Sequence, residues 1–212
     1  MDSISYTKVW FLKLTQNSIF IVLDGIDGSG TTTHSSLLKG FLETREFKVY
    51  LTQEPSNSEI GLLLRKYLKN KGIPPITDAL LFAADRSLHY HKEIKEKLDQ
   101  GFIVISDRYI ESSIIYQSLQ SDLISIKWVK NINKFVGIPD LTIILDIDPK
   151  IALARKTQQE LEKFEDTPFL DKVRALYLKR AKKESYFVVN SNEIIEFVQD
   201  KIQKIVLQKL KE

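Results

Sequence analysis

Residues 25 to 32, "GIDGSGTT", carry the spacing of a phosphate-binding loop with one substitution at its centre. In the pattern G-x-x-x-x-G-K-[ST], Gly25 and Gly30 take the glycine positions and Thr32 the hydroxyl position, while Thr31 stands where the pattern has lysine. Glycines at 25, 28 and 30 let a backbone wrap closely around phosphate oxygens with its N–H groups turned inward. A helix starting near Thr31 would add the positive end of its dipole. An anion site is therefore expected even without the lysine, and Thr32 would offer its hydroxyl to Mg²⁺. A threonine at 31 has neither the reach nor the charge to follow the outer phosphates of a nucleotide. Phosphoryl transfer rests on positioning and on neutralising charge, so either another cation replaces that lysine or turnover is low. The same eight residues, taken alone, also suit a strand-to-helix turn that holds no ligand.

Other residue pairs suggest what such a loop would serve. Phe82 and Arg86 are four residues apart and so share a helix face, where an aromatic surface and a planar donor fork would suit a pyrimidine bearing a carbonyl. Helix-core packing is the alternative for Phe82. Asp107 and Arg108 follow an apolar run, and ligands of α/β sheets bind at the carboxyl ends of strands. A surface ion pair is the alternative there. Asp27, set among the loop glycines, is a carboxylate that needs a partner, which a metal ion or a ligand hydroxyl would supply.

The elements that must position these residues are legible as an alternation. Apolar runs at 18–24, 47–52, 102–106, 141–146 and 186–189 read as strands, and segments of helical period at 31–44, 58–70, 77–99, 110–117, 124–135, 149–163, 168–184 and 192–210 fill the gaps. Thr77 with Asp78 is expected to cap one helix, and Thr167 another with Pro168 at its first position. The alternation implies an α/β fold: a three-layer α/β/α arrangement with a five-stranded parallel sheet. Residues 18–212 read as one domain and 1–17 as an N-terminal extension, a short extra strand or loose arm, or the product of a start site placed too early.

Composition narrows the function classes. A net charge of +3 is too small to argue for nucleic acid, and no run of about 18 apolar residues exists to span a bilayer. The absence of cysteine excludes disulfides and thiolate chemistry and fits a cytoplasmic location.

Five further stretches, "TQEPSNSEIGLLLRKYL" (52–68), "LLFAADRSLHY" (80–90), "VISDRYIESSIIYQ" (104–117), "IPDLTIILDIDPKIALAR" (138–155) and "KFEDTPFLDKVRALYLKRAKK" (163–183), resemble in order the thymidylate kinase family, which phosphorylates dTMP with ATP. The resemblance implies ATP and Mg²⁺ as donor and cofactor, a homodimer, and sheet order 2-3-1-4-5. It implies that Phe82 stacks on thymine, that Arg86 bonds to the base, and that Ser112, Tyr116 and Gln117 contact sugar and base. It also implies Asp107 and Thr32 at the metal, Arg108 and Arg65 on the acceptor phosphate, and Asp27 near its sugar and phosphate. For Arg65, a solvated place on an amphipathic helix is the alternative. Gly25, Gly28, Ser29, Gly30, Thr31, Thr32 and Thr33 would hold the donor phosphates.

Two further positions depart from the family's pattern. Gln53 precedes Glu-Pro where many members have arginine, and the loop interior "IDGS" contains no basic residue. The lid, about 155–167, must then supply the cation, from Arg155, Lys156 or Lys163, and Arg155 ends a stretch that matches the family. Ion pairing of these cations with Glu160, Glu162 and Glu165 is the alternative. The reading is a kinase making dTDP. A binding protein that lost catalysis with its lysine, or a kinase for dUMP or a nucleoside, stays open.

Overall fold

Every residue of strand β1 (Ile19–Gly25) is buried, and this sets the plan of the molecule. A strand covered on both faces must lie inside a sheet with helices on either side, which is why "IFIVLD" is a continuous apolar run closed by one acid. The computed structural model describes residues 18–68, 72–155 and 167–212. Strands β2 (Val49–Gln53), β3 (Ile103–Asp107), β4 (Leu141–Asp146) and β5 (Phe187–Asn190) join β1 in the order β2-β3-β1-β4-β5. All pairings are parallel, with Leu23 opposite Asp107 and Gly25 opposite Leu145. The family-implied sheet order is the observed one.

Alternation of side chains along the strands divides the core between the two faces. On one face, Ile19, Ile21 and Leu23 of β1 pack with Leu38 and Leu42 of α1 (Thr31–Glu43) and with Val198, Ile202 and Val206 of a C-terminal helix (Ile195–Lys209). Phe20 and Val22 point the other way, toward Val104, Ile94 and Tyr109. Between these lie α2 (Glu59–Leu68) and α3 (Pro75–His89), which runs through a π-helical turn, Tyr90–Ile94, into α4 (Lys95–Asp99). Helices α5 (Ile110–Gln120), α6 (Ile126–Ile132), α7 (Pro149–Ala154) and α8 (Thr167–Glu184) follow, and the C-terminal helix is α9. A buried ion pair ties α8 to α5: Arg180 donates to Glu111 through Nε at 2.5 Å and Nη2 at 2.7 Å, and Tyr186 Oη donates to the same carboxylate at 3.0 Å.

The structure shifts several expected boundaries. Helix α3 begins at Pro75, so Thr77 and Asp78 lie inside its first turn and neither caps it; proline at the first position fixes φ and lacks the N–H that a cap would satisfy. Thr167 is already helical in α8 as described, so it does not stand outside that helix as its cap. Helix α6 is shorter than 124–135: it starts at Ile126, because the Ser125 side chain caps it by accepting from Trp128 N at 3.1 Å, and it ends at Ile132. The expected N-terminal extension at 1–17, and most of the expected lid with Lys156, Lys163, Glu160, Glu162 and Glu165, lie outside the described residues.

Close packing at the start of α2 generates a stability prediction. A Cβ built on Gly61 would stand 2.0 Å from the Ser56 carbonyl oxygen, a backbone atom that cannot move aside alone. Gly61→Ala is expected to destabilise the protein by about 1–3 kcal/mol, the usual range for overpacking, seen as a lower urea midpoint with an unchanged slope.

Candidate active site

At the carboxyl edge of the sheet, β1 turns into the glycine-rich loop and then into α1. Gly28 and Gly30 adopt φ of +82° and +92°, a region that side chains avoid, and a Cβ on Gly28 would stand 2.4 Å from the Ala152 carbonyl oxygen. Helix α1 begins after Gly30 with no side-chain cap and no acid in its first turn, so its N-terminal amides are left for a ligand. The loop walls a cavity of about 860 Å³ lined by Gly28, Gly30, Thr31, Thr32 and Thr33, with Ser191–Glu196 opposite. Gly25 and Ser29 are buried behind it.

A second cavity, of about 130 Å³, opens beside it. Phe82, Arg86, Tyr109, Tyr116 and Gln117 line it together with Glu54, Pro55, Ser112 and Ser113. Asp27 and Arg108 stand in the walls of both cavities. Arg108 has φ of +68° and donates through Nη2 to Asp27 Oδ1 at 2.7 Å, and through Nη1 to the Gly25 carbonyl at 2.8 Å and Ser112 Oγ at 3.0 Å. Tyr116 Oη donates to Asp27 Oδ2 at 3.2 Å. Burial raises the Tyr116 phenol well above its ordinary range, so it stays a donor.

Beneath this wall sits Asp24, which is fully buried. It accepts from Gly25 N at 2.9 Å, Ser112 Oγ at 2.7 Å, Ser112 N at 3.1 Å and Tyr177 Oη at 2.7 Å. Burial raises its pKa above the ordinary carboxylate value, against the opposing pull of Arg108 and of these hydrogen bonds. Burial also opposes the charge of Arg108, but the charge of Asp27 foremost, with Asp24 behind it, outweighs that and holds the guanidinium protonated. Asp24 and Tyr177 were not among the residues expected from sequence. The signal for Asp24 was a carboxylate closing an otherwise apolar strand; Tyr177 had none.

Arg86 is 1% exposed, and most of its fork is committed to protein. Nε donates to Glu54 Oε2 at 2.7 Å, Nη1 to Asn133 Oδ1 at 2.8 Å and Nη2 to Ser113 Oγ at 2.9 Å. It nonetheless lines the smaller cavity together with Phe82. Arg65 lines neither cavity; it donates to the carbonyls of Ser56, at 2.7 Å, and Pro55, which does line the smaller one. Gln117 Oε1 is buried with no partner at the smaller cavity's wall.

Thr32 and Asp107 come together as a pair, with Thr32 Oγ1 donating to Asp107 Oδ2 at 2.5 Å. The other carboxylate oxygen, Oδ1, is buried without a partner. One hydroxyl beside an unpartnered carboxylate oxygen is a donor set that fits a hard cation such as Mg²⁺. Arg155 donates to the carbonyls of Gly28 at 3.3 Å and Ser191 at 3.0 Å, bridging the two sides of the larger cavity. His34 also lines that cavity, its Nδ1 donating to Gln199 Oε1 at 2.8 Å. Burial, with a smaller push from Arg155, lowers the imidazole below its ordinary range, so it is neutral and cannot stand in for the missing lysine. Among the described residues of that wall, the guanidiniums are therefore Arg108 and Arg155.

Two cavities divided by one arginine–aspartate wall allow a phosphoryl group to pass between two phosphate-bearing molecules, and on a sheet of this order that is the plan of a nucleoside monophosphate kinase. Residues 23–202 match the family model described as thymidylate kinase. A probable thymidylate kinase of Pyrobaculum aerophilum is 47% identical over 193 residues, covering 88% of this chain and 97% of the relative. That of Pyrobaculum calidifontis is 47% identical over 175 residues (82% and 88%), and that of Caldivirga maquilingensis 39% over 197 residues (91% and 95%). The chain belongs to the thymidylate kinase family.

His34 yields a pH prediction. Its folded-state affinity for protons lies below that of the unfolded chain, so the unfolded state takes up the proton first as pH falls. Stability from the neutral imidazole is full above the ordinary value of 6.5 and is lost as pH falls below it. Urea midpoints measured from pH 8 to pH 5 are expected to fall more steeply for the parent chain than for His34→Gln.

Proposed function

We infer that this protein transfers the γ-phosphoryl group of ATP to dTMP, giving ADP and dTDP. The observation that carries the reading is the Arg108–Asp27 wall common to both cavities, with a phosphate loop on one side and the Phe82–Arg86 face on the other. Family membership supports the assignment of ATP to the first cavity and dTMP to the second.

Gly25, Gly28, Ser29, Gly30, Thr31, Thr32 and Thr33 would then hold the donor phosphates, chiefly through backbone N–H groups and the open end of α1. Phe82 offers the base its ring, Arg86 and Gln117 its polar partners, and Ser112 and Tyr116 the neighbouring sugar. Arg108 would grip the acceptor phosphate at the point of transfer, and Asp27 orients that guanidinium by accepting from its Nη2 at 2.7 Å. Arg65 acts one step back, by holding Pro55 against the acceptor. Thr32 and Asp107 would hold Mg²⁺, which when bound neutralises the donor phosphates. Because a nucleoside monophosphate is already anionic at neutral pH, no strong general base is required and catalysis reduces to placement and charge.

Arg155 is the group best placed to replace the lysine that Thr31 lacks. It reaches the loop at the Gly28 carbonyl and stands at the edge of the expected lid, so closure would carry it, with Lys156, onto the transferring group. We read residues 18–212 as one kinase domain behind an extension at 1–17, and the protein as a cytoplasmic homodimer, both on the strength of the resemblance. No helix among the described residues is long and apolar enough to cross a membrane.

The test is dTDP formation from dTMP, ATP and Mg²⁺ by the purified chain, with dUMP as a competing acceptor. Arg155→Ala is expected to lower kcat by roughly 10²–10³, the range for loss of one preorganised charge-stabilising donor. If the parent makes no more product than Asp107→Ala, and Thr31→Lys restores turnover, the kinase reading falls and a nucleotide-binding protein remains.

A further inference from the structure

Among the described residues, three arginines bond to a carboxylate through Nε, and one of them does so differently from the other two. Arg174 holds Asp146 with Nε at 2.6 Å and Nη2 at 2.9 Å, as Arg180 holds Glu111 with both nitrogens. This two-point fork is the geometry that guanidinium and carboxylate favour. Arg86 gives Glu54 only Nε, at 2.7 Å, and turns Nη2 to Ser113 Oγ at 2.9 Å and the Tyr109 carbonyl at 3.4 Å. The oxygen missing from the fork is engaged elsewhere: Glu54 Oε1 lies 3.3 Å from Nδ1 of His89.

His89 closes α3, is buried and lines neither nucleotide cavity, yet both its ring nitrogens have partners. A carboxylate bonded to a guanidinium only accepts, so Nδ1 carries the proton and donates to Glu54. Nε2 is then bare and accepts from the Thr52 hydroxyl, 2.6 Å away. Glu93 comes no closer to Nε2 than 3.9 Å and instead takes Tyr50 Oη at 2.6 Å. Among the described residues, His89 is the one donor to Glu54 Oε1. With Nη1 of Arg86 on Asn133 Oδ1, four of the five guanidinium N–H groups have protein acceptors. One is left for a molecule in the smaller cavity, which Arg86 and Glu54 both line.

We propose that His89 is a positioning residue for acceptor recognition: by holding Glu54 Oε1 it keeps Arg86 out of the two-point fork and so keeps that remaining N–H on the base of the acceptor. The inference rests on the reading of the smaller cavity as the acceptor's site. Without the imidazole donor, Oε1 draws Nη2 away from Ser113, as the carboxylates of Asp146 and Glu111 draw Nη2 of their own arginines. The guanidinium then turns in its plane, and the N–H meant for the base turns with it.

The experiment is calorimetric binding of dTMP and of 5-methyl-dCMP to the full chain without ATP. The two nucleotides share sugar, phosphate and methyl group, and differ in bearing a carbonyl or an amino group at ring position 4, so their ratio reads an N–H donor on the base. The parent is expected to prefer dTMP. In His89→Leu, dTMP binding weakens about tenfold or more, the worth of one hydrogen bond involving a charged group, while 5-methyl-dCMP is little changed. His89→Asn, whose amide N–H stands near the place of Nδ1, retains most of the preference. If His89→Leu does not fold, as judged by circular dichroism, Thr52→Val is read instead: it strips Nε2 of its donor, and the preference falls in the same direction. An unchanged ratio in the folded variants, or equal weakening of both nucleotides, overturns the role of His89 and leaves it a packing residue. A parent that binds neither nucleotide overturns the acceptor reading itself, and this inference with it.

Discussion

A carboxylate buried at the end of a central parallel strand cannot stand alone, and the donors gathered around Asp24 are what bring the working parts of this kinase together. Gly25 N comes from the phosphate loop, Ser112 from the first turns of α5, and Tyr177 from the middle of α8. These three segments are far apart in sequence; the loop lines the larger cavity, α5 lines the smaller one, and α8 braces both from behind through Tyr177. Arg108 approaches the same carboxylate, 3.7 Å from Oδ1, before turning to Asp27. Removing the acid would therefore loosen loop, arginine and helix together. A buried polar network of this kind rigidifies only when fully satisfied, and here each carboxylate oxygen has donors.

The second consequence concerns charge. Thr31 leaves the loop without the cation usual at that position, and the described walls offer only guanidiniums in return. Arginine is an apt replacement because it stays charged in any surroundings and its fork can hold backbone carbonyls and phosphate oxygens alike. Arg155 already uses two such carbonyls to link Gly28 to Ser191. Histidine at 34, although close, is taken out of service by burial.

Much of this was legible in the sequence, and the pattern of what was not is instructive. Strands were found within one or two residues because fully buried strands are unbroken apolar runs, and "IFIVLD" admits little else. Phe82 and Arg86 were placed on one face by helical period alone, and they line one cavity. Period could not show that the Arg86 fork would be taken up by Glu54, Asn133 and Ser113, since those partners come from 32, 47 and 27 residues away. Tyr177 was hidden for the same reason: its role depends on an acid 153 positions distant. Helix starts were misjudged where proline competed with a threonine for the terminal position, as at Pro75.

Arg108 sits in left-handed backbone geometry, φ +68°, where a residue with a Cβ is disfavoured by roughly 1–2 kcal/mol and glycine is not. The position best suited to glycine on conformational grounds is thus occupied by the side chain that joins the two cavities. The turn after β3 gives up some folding free energy to keep that guanidinium where it is, so selection for heat resistance alone would tend to erode this arginine, and selection for turnover to retain it.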